Sequence, residues 1–193
     1  MLRWRFHPPG DVILQTREKV QLMSASELDR TLVRLAHEVL ERTSDIERLA
    51  FIGIRRGGVP LAQRLAKKIG ELEDREIPVG SVDIGDYRDD ASPLHEQKNG
   101  ADIPYELTGK DVVLVDDVLH TGRTVRAGLE ALLHQGRPAR IQLLVLIDRG
   151  HRELPIEARY VGRTVQTKSS EAVVVKFVEN DGVDRVTLTE NVD

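Results

Sequence analysis

Val112-Val113-Leu114-Val115-Asp116-Asp117-Val118-Leu119-His120-Thr121-Gly122-Arg123-Thr124 sets two adjacent carboxylates at the end of an apolar run, with a Thr-Gly-Arg-Thr turn just behind them. The β-branched run has the length of a buried parallel strand, and Val125, Leu129, Leu132 and Leu133 recur beyond the turn at helical spacing. An open α/β sheet binds ligands at the carboxyl ends of its strands, so these polar residues fall where such a fold does chemistry. Gly122 permits a tight turn. The amides of residues 121–124 and the hydroxyls of Thr121 and Thr124 can then point at one anion on the positive end of the helix dipole. Two carboxylates would repel that anion and need another target, and vicinal ribose hydroxyls are neutral donors that suit them. The combination spells a phosphorylated ribose. A βα turn in which Asp117 or Thr121 caps the helix explains any one of these residues, but not the whole run.

Three further groups carry charge at loop positions. Arg55-Arg56-Gly57-Gly58 stands between a predicted strand and a predicted helix, where amides and guanidinium groups can hold a second anion. A glycine-rich turn with solvated arginines is the alternative. Arg88, in Tyr87-Arg88-Asp89-Asp90, starts a polar loop. Asp148-Arg149-Gly150-His151-Arg152 follows another apolar run, the place from which a loop can cover a ligand, with salt-bridged structural arginines as its rival reading. Histidine as a side-chain type suits proton transfer near neutrality, so His120 and His151 invite an acid–base reading. The six histidines show no metal-ligand spacing with acids, which argues against zinc.

The elements that must position these groups are readable from periodicity. Ser24 and Glu27 form a capping-box pattern, with Met23 and Leu28 placed as a hydrophobic staple, and Leu28, Leu32, Leu35 and Val39 give the helix one apolar face. A strand follows over residues 49–54, then a helix in which Leu61, Leu65, Ile69 and Leu72 are spaced for burial, then a strand over 79–84. Residues 86–109 turn polar and irregular, a length that marks a functional or flexible loop. Residues 141–147 read as another buried strand; residues 173–178 and 183–188 read as a terminal hairpin around Asn180-Asp181-Gly182. The predicted class is α/β, a mainly parallel central sheet flanked by helices.

At 193 residues the chain fits one domain that folds without disulfide or metal, spanning 1–193, with an N-terminal arm at 1–20 or an edge strand through Val12-Ile13-Leu14. Cysteine is absent and no apolar stretch reaches membrane length, so a cytoplasmic protein with no membrane partner is expected. The net charge of −4 leaves any nucleic-acid role to locally gathered cations.

The 112–124 segment resembles the phosphoribosylpyrophosphate (PRPP) signature of type I phosphoribosyltransferases. More narrowly, the chain resembles the bifunctional regulators of pyrimidine operons that are also uracil phosphoribosyltransferases. Arg34-Leu35-Ala36-His37-Glu38, Tyr87-Arg88-Asp89-Asp90 and Asp148-Arg149-Gly150-His151-Arg152-Glu153-Leu154-Pro155-Ile156 carry the likeness as well, over about residues 22–189. The resemblance implies the type I phosphoribosyltransferase fold, with a small hood that includes residues 148–172 and an active-site loop at 86–109. It implies conversion of uracil and PRPP to UMP and diphosphate with Mg2+, carried mainly by diphosphate and ribose oxygens. Asp116 and Asp117 would hold the ribose hydroxyls, and Val118, Leu119, His120, Thr121, Gly122, Arg123 and Thr124 would line the 5′-phosphate site. Arg55, Arg56 and Arg88 would meet diphosphate, and the segment around Asp148 and Arg149 would meet the base, largely through backbone groups. Phosphoribosyl transfer passes through an oxocarbenium-like state that needs positioning and electrostatics more than a strong base, so neither histidine is assigned as one.

The same resemblance implies a homodimer or higher homo-oligomer that binds the leader of pyrimidine (pyr) mRNA when UMP or UTP occupies the nucleotide site. Arg34, His37, Arg42, Arg152, Arg163 and Lys168 are the RNA-binding candidates. Two loops depart from the family. Those regulators commonly have Thr-Arg-Gly where Arg56-Gly57-Gly58 stands, and Thr-Leu where Gly85-Asp86 stands. These changes favour one alternative, a nucleotide-binding regulator with little or no catalysis; a phosphoribosyltransferase for another base is the second.

Overall fold

The computed structural model describes residues 15–85 and 100–192. The edge strand expected at 12–14, the candidate Arg88 and residues 86–99 of the expected loop lie outside the described residues. The central sheet has the order β3-β2-β4-β5-β6 and is parallel throughout, built from β2 (Leu49–Ile54), β3 (Val79–Val82), β4 (Asp111–Leu119), β5 (Arg140–Asp148) and β6 (Tyr160–Thr164). Side chains alternate between its faces. Phe51, Val113 and Val115 meet α1 (Ala25–Glu41) and α2 (Gly58–Glu73), whereas Ile52, Ile54 and Leu114 meet α3 (Arg123–Gln135). Both faces being covered is why β2 is buried at every position and reads as an unbroken apolar run.

The helix starts follow the sequence closely. Ser24 N–H donates to Glu27 Oε2 at 2.8 Å, and Glu27 N–H donates back to Ser24 Oγ at 3.4 Å, closing the capping box. Leu28, Leu32, Leu35 and Val39 are buried as expected. Two apolar residues are not. The buried stripe of α2 runs through Leu61, Leu65 and Ile69 and ends before Leu72, which is 51% exposed. On α3 the stripe passes through Val125, Gly128 and Leu132, so Leu133, rotated by a further ~100°, faces water.

A second sheet of three antiparallel strands, β1-β8-β7, is made from the two ends of the described chain: β1 (Gln15–Met23), β7 (Glu171–Lys176) and β8 (Arg185–Val192). Residues 15–20, expected to be part of an arm, are thus strand. The alternation was hidden because β1 carries register shifts at Glu18/Val20 and Gln21/Met23, which break a period of two. Residues 100–109 of the expected loop are tied down: Asp102 pairs with Ser81, Tyr105 donates its hydroxyl to Phe51 O at 3.0 Å, and Leu107 is buried.

The terminal hairpin exists, but an Asp-Gly turn does not close it. The connection is the one-turn helix α4 (Val178–Asp181), capped by Gly182 in the left-handed region at φ 72°. Side-chain carboxylates select the helical turn: Phe177 N–H donates to Asp181 at 2.9 Å and Val178 N–H to Asp184 at 2.9 Å. Arg64 of α2 then grips the hood, donating to Glu179 at 2.8 and 2.6 Å and to Asp184 at 2.9 and 2.7 Å, with its guanidinium 5.2 Å from the centre of the Phe177 ring.

Arg64→Ala should therefore loosen the hood. Glu179 is 39% exposed, so the loss is placed below the range for fully buried pairs, at about 2 kcal/mol, or a fall in Tm of about 4–8 °C. Hydrogen bonds from Arg64 hold the Glu179 and Asp184 carboxyls below their ordinary pKa, so this contribution is present above the ordinary carboxylate range and lost as pH falls through the lowered values. Thermal melts of both proteins at neutral and strongly acidic pH should show the gap closing in acid.

Candidate functional site

Strand β4 lies between β2 and β5, so its carboxyl end is flanked by the β2–α2 loop on one side and by the β5–β6 loop on the other. Asp116 is buried and Asp117 half-buried at that end. Backbone amides supply the hydrogen bonds: Asp117 N–H donates to Asp116 Oδ1 at 3.0 Å, and Val118 N–H to Asp117 Oδ1 at 2.9 Å. Among the described residues neither acid forms a salt bridge. Burial pushes the Asp116 carboxyl well above its ordinary pKa, and the neighbouring Asp117 charge adds to it; burial raises Asp117 too. Two carboxyl groups short of water and of counter-ions are strong acceptors for hydroxyl donors.

The turn at Gly122 and the start of α3 form as the sequence predicts. Gly122 has φ 93° and stands at the N-cap of α3, where it has no side chain to cap the helix; the Arg123 amide donates to Thr121 Oγ1 at 3.3 Å. The thirteen-residue α3 thus points its positive end at the loop. Thr121 O accepts the Glu153 and Leu154 amides at 3.0 and 3.1 Å, clasping the turn to the β5–β6 loop. Arg123 pairs with Glu153 at 2.8 Å across the same clasp. Thr121 and Thr124 stay accessible beside them.

In the β2–α2 loop the Arg55–Arg56 peptide is cis, and Arg55 donates from Nε and a terminal nitrogen to Ser81 Oγ, both at 3.2 Å. Arg56 stands between two cavities. One, of about 490 Å³, is bounded by Gly57, Asp117, Val175, Phe177 and the α4 residues Glu179, Asn180 and Asp181. The other, of about 410 Å³, lies toward Ser81, Asp102 and Pro104. The α4 residues and Phe177 were not picked out from sequence as site residues. They carry no local signal, being brought to Asp117 only by the fold of the hood.

Two arginines of the β5–β6 loop turn their guanidinium groups inward. Arg149 is buried and spends its guanidinium within the hood, on Thr167 Oγ1 at 3.1 Å and on the Lys168 and Glu171 carbonyls. Any base contact from this segment falls to the backbone, as expected for it. Arg152, named as an RNA contact, is half-buried and donates to Ile156 O at 2.9 Å, His120 O at 2.8 Å and the Asp148 carboxylate. It is a clamp between the loops after β4 and β5. His120 and His151 meet edge to face with ring centres 5.9 Å apart. Burial, with the nearby Arg149 charge, lowers the His120 pKa and favours neutral imidazole.

The other basic candidates gather elsewhere. Arg34 reaches Val161 O at 3.0 Å and Gly162 O at 2.6 Å, Arg42 lies 5.5 Å from the Tyr160 ring centre, and Arg163 donates to Leu22 O at 2.5 Å. With the exposed His37 they line the edge where α1 meets β6. Lys168 is exposed on the loop before β7, apart from that edge in sequence and element.

The Phosphoribosyl transferase domain family matches residues 24–179. The chain is 51% identical over 179 residues to the Bifunctional protein PyrR of Pelotomaculum thermopropionicum, covering 92% of this chain and 99% of that protein. It is 54% identical over 176 residues to the Bifunctional protein PyrR of Thermus thermophilus, covering 90% and 97%. In fold it is similar to a hypoxanthine phosphoribosyltransferase from Staphylococcus aureus, with a TM-score of 0.65, 20% identity and coverage of 88% and 92%. The hypoxanthine phosphoribosyltransferase of Trypanosoma cruzi gives a TM-score of 0.66 at 14% identity, covering 91% and 98%.

The desolvated acid pair makes a stability prediction. A carboxyl whose pKa is raised on folding contributes most below its unfolded pKa and loses that contribution as pH rises through the folded value. Asp116→Asn keeps the acceptor for the Asp117 amide and removes the buried charge. It should raise Tm near pH 8 by about 2–4 °C per kcal/mol relieved, and the gain should vanish in melts below about pH 4.

Proposed function

The chain has the type I phosphoribosyltransferase fold and belongs to the phosphoribosyl transferase domain family, among the bifunctional PyrR proteins; from that premise we propose that it converts uracil and PRPP to UMP and diphosphate and regulates pyrimidine-biosynthesis genes through RNA. One observation carries the enzymatic reading. Buried Asp116 and half-buried Asp117 meet no cation among the described residues and stand near the end of the central strand, just before α3 opens at a glycine N-cap. Asp116 and Asp117 accept the ribose hydroxyls, residues 118–124 wrap the 5′-phosphate, and the Arg55–Arg56 loop, with Arg88, takes the diphosphate. The backbone around Arg149 faces the base.

In the reaction the bond from ribose C1 to the diphosphate oxygen breaks, C1 joins uracil N1, and the N1 proton leaves to solvent. Charge builds on the departing diphosphate and on the ribose ring, which the arginines and the acid pair answer in turn. Mg2+ fits this donor set as a shared ion. Among the described residues no group of three or more metal-ligating side chains comes together, so Asp116 and Asp117 would offer hard oxygens while diphosphate and ribose complete the shell. Bound there, the ion would neutralise the leaving group.

For the regulatory role, Arg34, His37, Arg42 and Arg163 form a basic edge with Lys168 as a further contact, on a homodimer that reads UMP or UTP in the same site. No described helix is long and apolar enough to cross a membrane. A protein acting on these substrates and on leader RNA would work in the cytoplasm.

Labelled uracil with PRPP and Mg2+ should yield labelled UMP. Asp116→Asn with Asp117→Asn should lower kcat/KM for PRPP by at least about a hundredfold, the scale of losing a charged contact at each of two positions. Binding of UMP without any conversion would instead establish a non-catalytic nucleotide sensor, and turnover of hypoxanthine in place of uracil would overturn the base assignment. A gel shift with a pyrimidine leader RNA should tighten with UMP and weaken steeply with salt. His37→Ala and Lys168→Ala test it better than Arg34→Ala, because Arg34 also ties α1 to β6; an absent shift at low salt would remove the RNA role.

A further inference from the structure

The β2–α2 loop and the acid pair are in closer contact than their separation in sequence suggests. A β-carbon built on Gly57 would lie 2.2 Å from Asp117 Oδ2 and 2.4 Å from its Cγ. Gly58 is equally tight against strand β4, its β-carbon position lying 2.1 Å from Val115 O. The first turn of α2 is thus pressed onto the end of β4, and the Asp117 carboxylate rests over the bare backbone of Gly57. Its other oxygen, Oδ1, is fixed by the Val118 amide at 2.9 Å. One carboxylate is therefore held from two sides, by an amide donor and by the absence of a side chain.

The need at position 57 is for space rather than for an unusual backbone. Gly57 has φ −69° and ψ −30°, a conformation open to every L-residue. Alanine there would leave the chain path undisturbed, and the atom it meets is the end of a side chain that can rotate. Its whole effect should fall on where Asp117 points.

We propose that Gly57 is a positioning residue for PRPP: by leaving room for Asp117 it sets the aim of that carboxylate and locks the diphosphate loop and the ribose acid into one unit. The resembling regulators commonly carry arginine at this position, which could not share the space with Asp117 as placed here. In this chain the arginine stands one residue earlier, at Arg56, and Gly57 is left to the acid. The proposal rests on the assignment of Asp117 to the ribose hydroxyls.

A double-mutant cycle over Gly57→Ala and Asp117→Ala tests it in the full-length protein, with KM for PRPP, KM for uracil, kcat and Tm read for each member. Gly57→Ala should raise KM for PRPP about tenfold, the scale of coupling between side chains in contact, leave KM for uracil within about twofold, and leave Tm within a few degrees. In the Asp117→Ala background, where the carboxylate is gone, Gly57→Ala should add nothing. An unchanged KM for PRPP in Gly57→Ala overturns the proposal. So does a Gly57→Ala effect that persists in full beside Asp117→Ala, or one that appears only as a lower Tm. If Asp117→Ala by itself leaves KM for PRPP unchanged, the ribose assignment has failed and the proposal falls with it. If Asp117→Ala weakens PRPP while Gly57→Ala is silent, the proposal alone is lost.

Discussion

Strand β4 carries Asp116 and Asp117 out of water at the centre of a sheet covered on both faces, and neither meets a cation among the described residues. Burying a carboxylate costs several kcal/mol unless something answers its charge. Amides at 2.9 and 3.0 Å answer part of it, and the raised pKa of both groups measures what is left. The surroundings are arranged around that debt. The β2–α2 loop meets Asp117 with glycine, so no side chain crowds the carboxylate, and α3 begins a few residues later with a glycine at its N-cap. A hydroxyl-bearing, anionic ligand resolves both tensions, giving the acids donors and the helix end an anion.

Holding such a site open requires rigid walls, and much of that rigidity comes from arginine. Arg152 ties the loops after β4 and β5 together through two carbonyls and Asp148, Arg149 ties the β5 end to the hood, and Arg64 ties the hood to α2. Each guanidinium presents five donors in a fixed plane, so it can satisfy several carbonyls that a loop would otherwise leave unpaired. The apolar core carries the sheet; these clamps carry the loops.

That division explains what could be read from sequence. Strand β4, the turn at Gly122 and helix α3 form one local unit whose pattern needs no distant partner, so the acid pair and anion loop were legible. The capping box at Ser24 was legible for the same reason. Arg149 and Arg152 were not, because a guanidinium bound to carbonyls and one awaiting an anion look alike in one dimension. Strand β1 was lost to its bulges, and α4 to two carboxylates, Asp181 and Asp184, whose amide partners only the folded connection reveals. Gly57 looked like a departure in a phosphate loop; its role depends on an aspartate sixty positions away.

The same clamps bear on how a nucleotide at the proposed site would govern RNA at the proposed α1–β6 contact. Linkage demands an element whose arrangement both ligands bias, and proximity alone does not supply one. The β5–β6 connection meets the geometric condition. Its first residues lie beside the anion loop through Thr121 and Arg152, while Asp148 and Ile147 pair with Thr164 and Arg163 of β6. Arg34 grips the carbonyls of Val161 and Gly162 on that same strand, and Arg149 holds the loop bearing Lys168. A shift of residues 148–152 on nucleotide binding would be delivered to the basic edge through strand pairing and guanidinium contacts, without any movement of the core. Because binding free energies are reciprocal, RNA that favours one arrangement of this connection must tighten the nucleotide by the same factor.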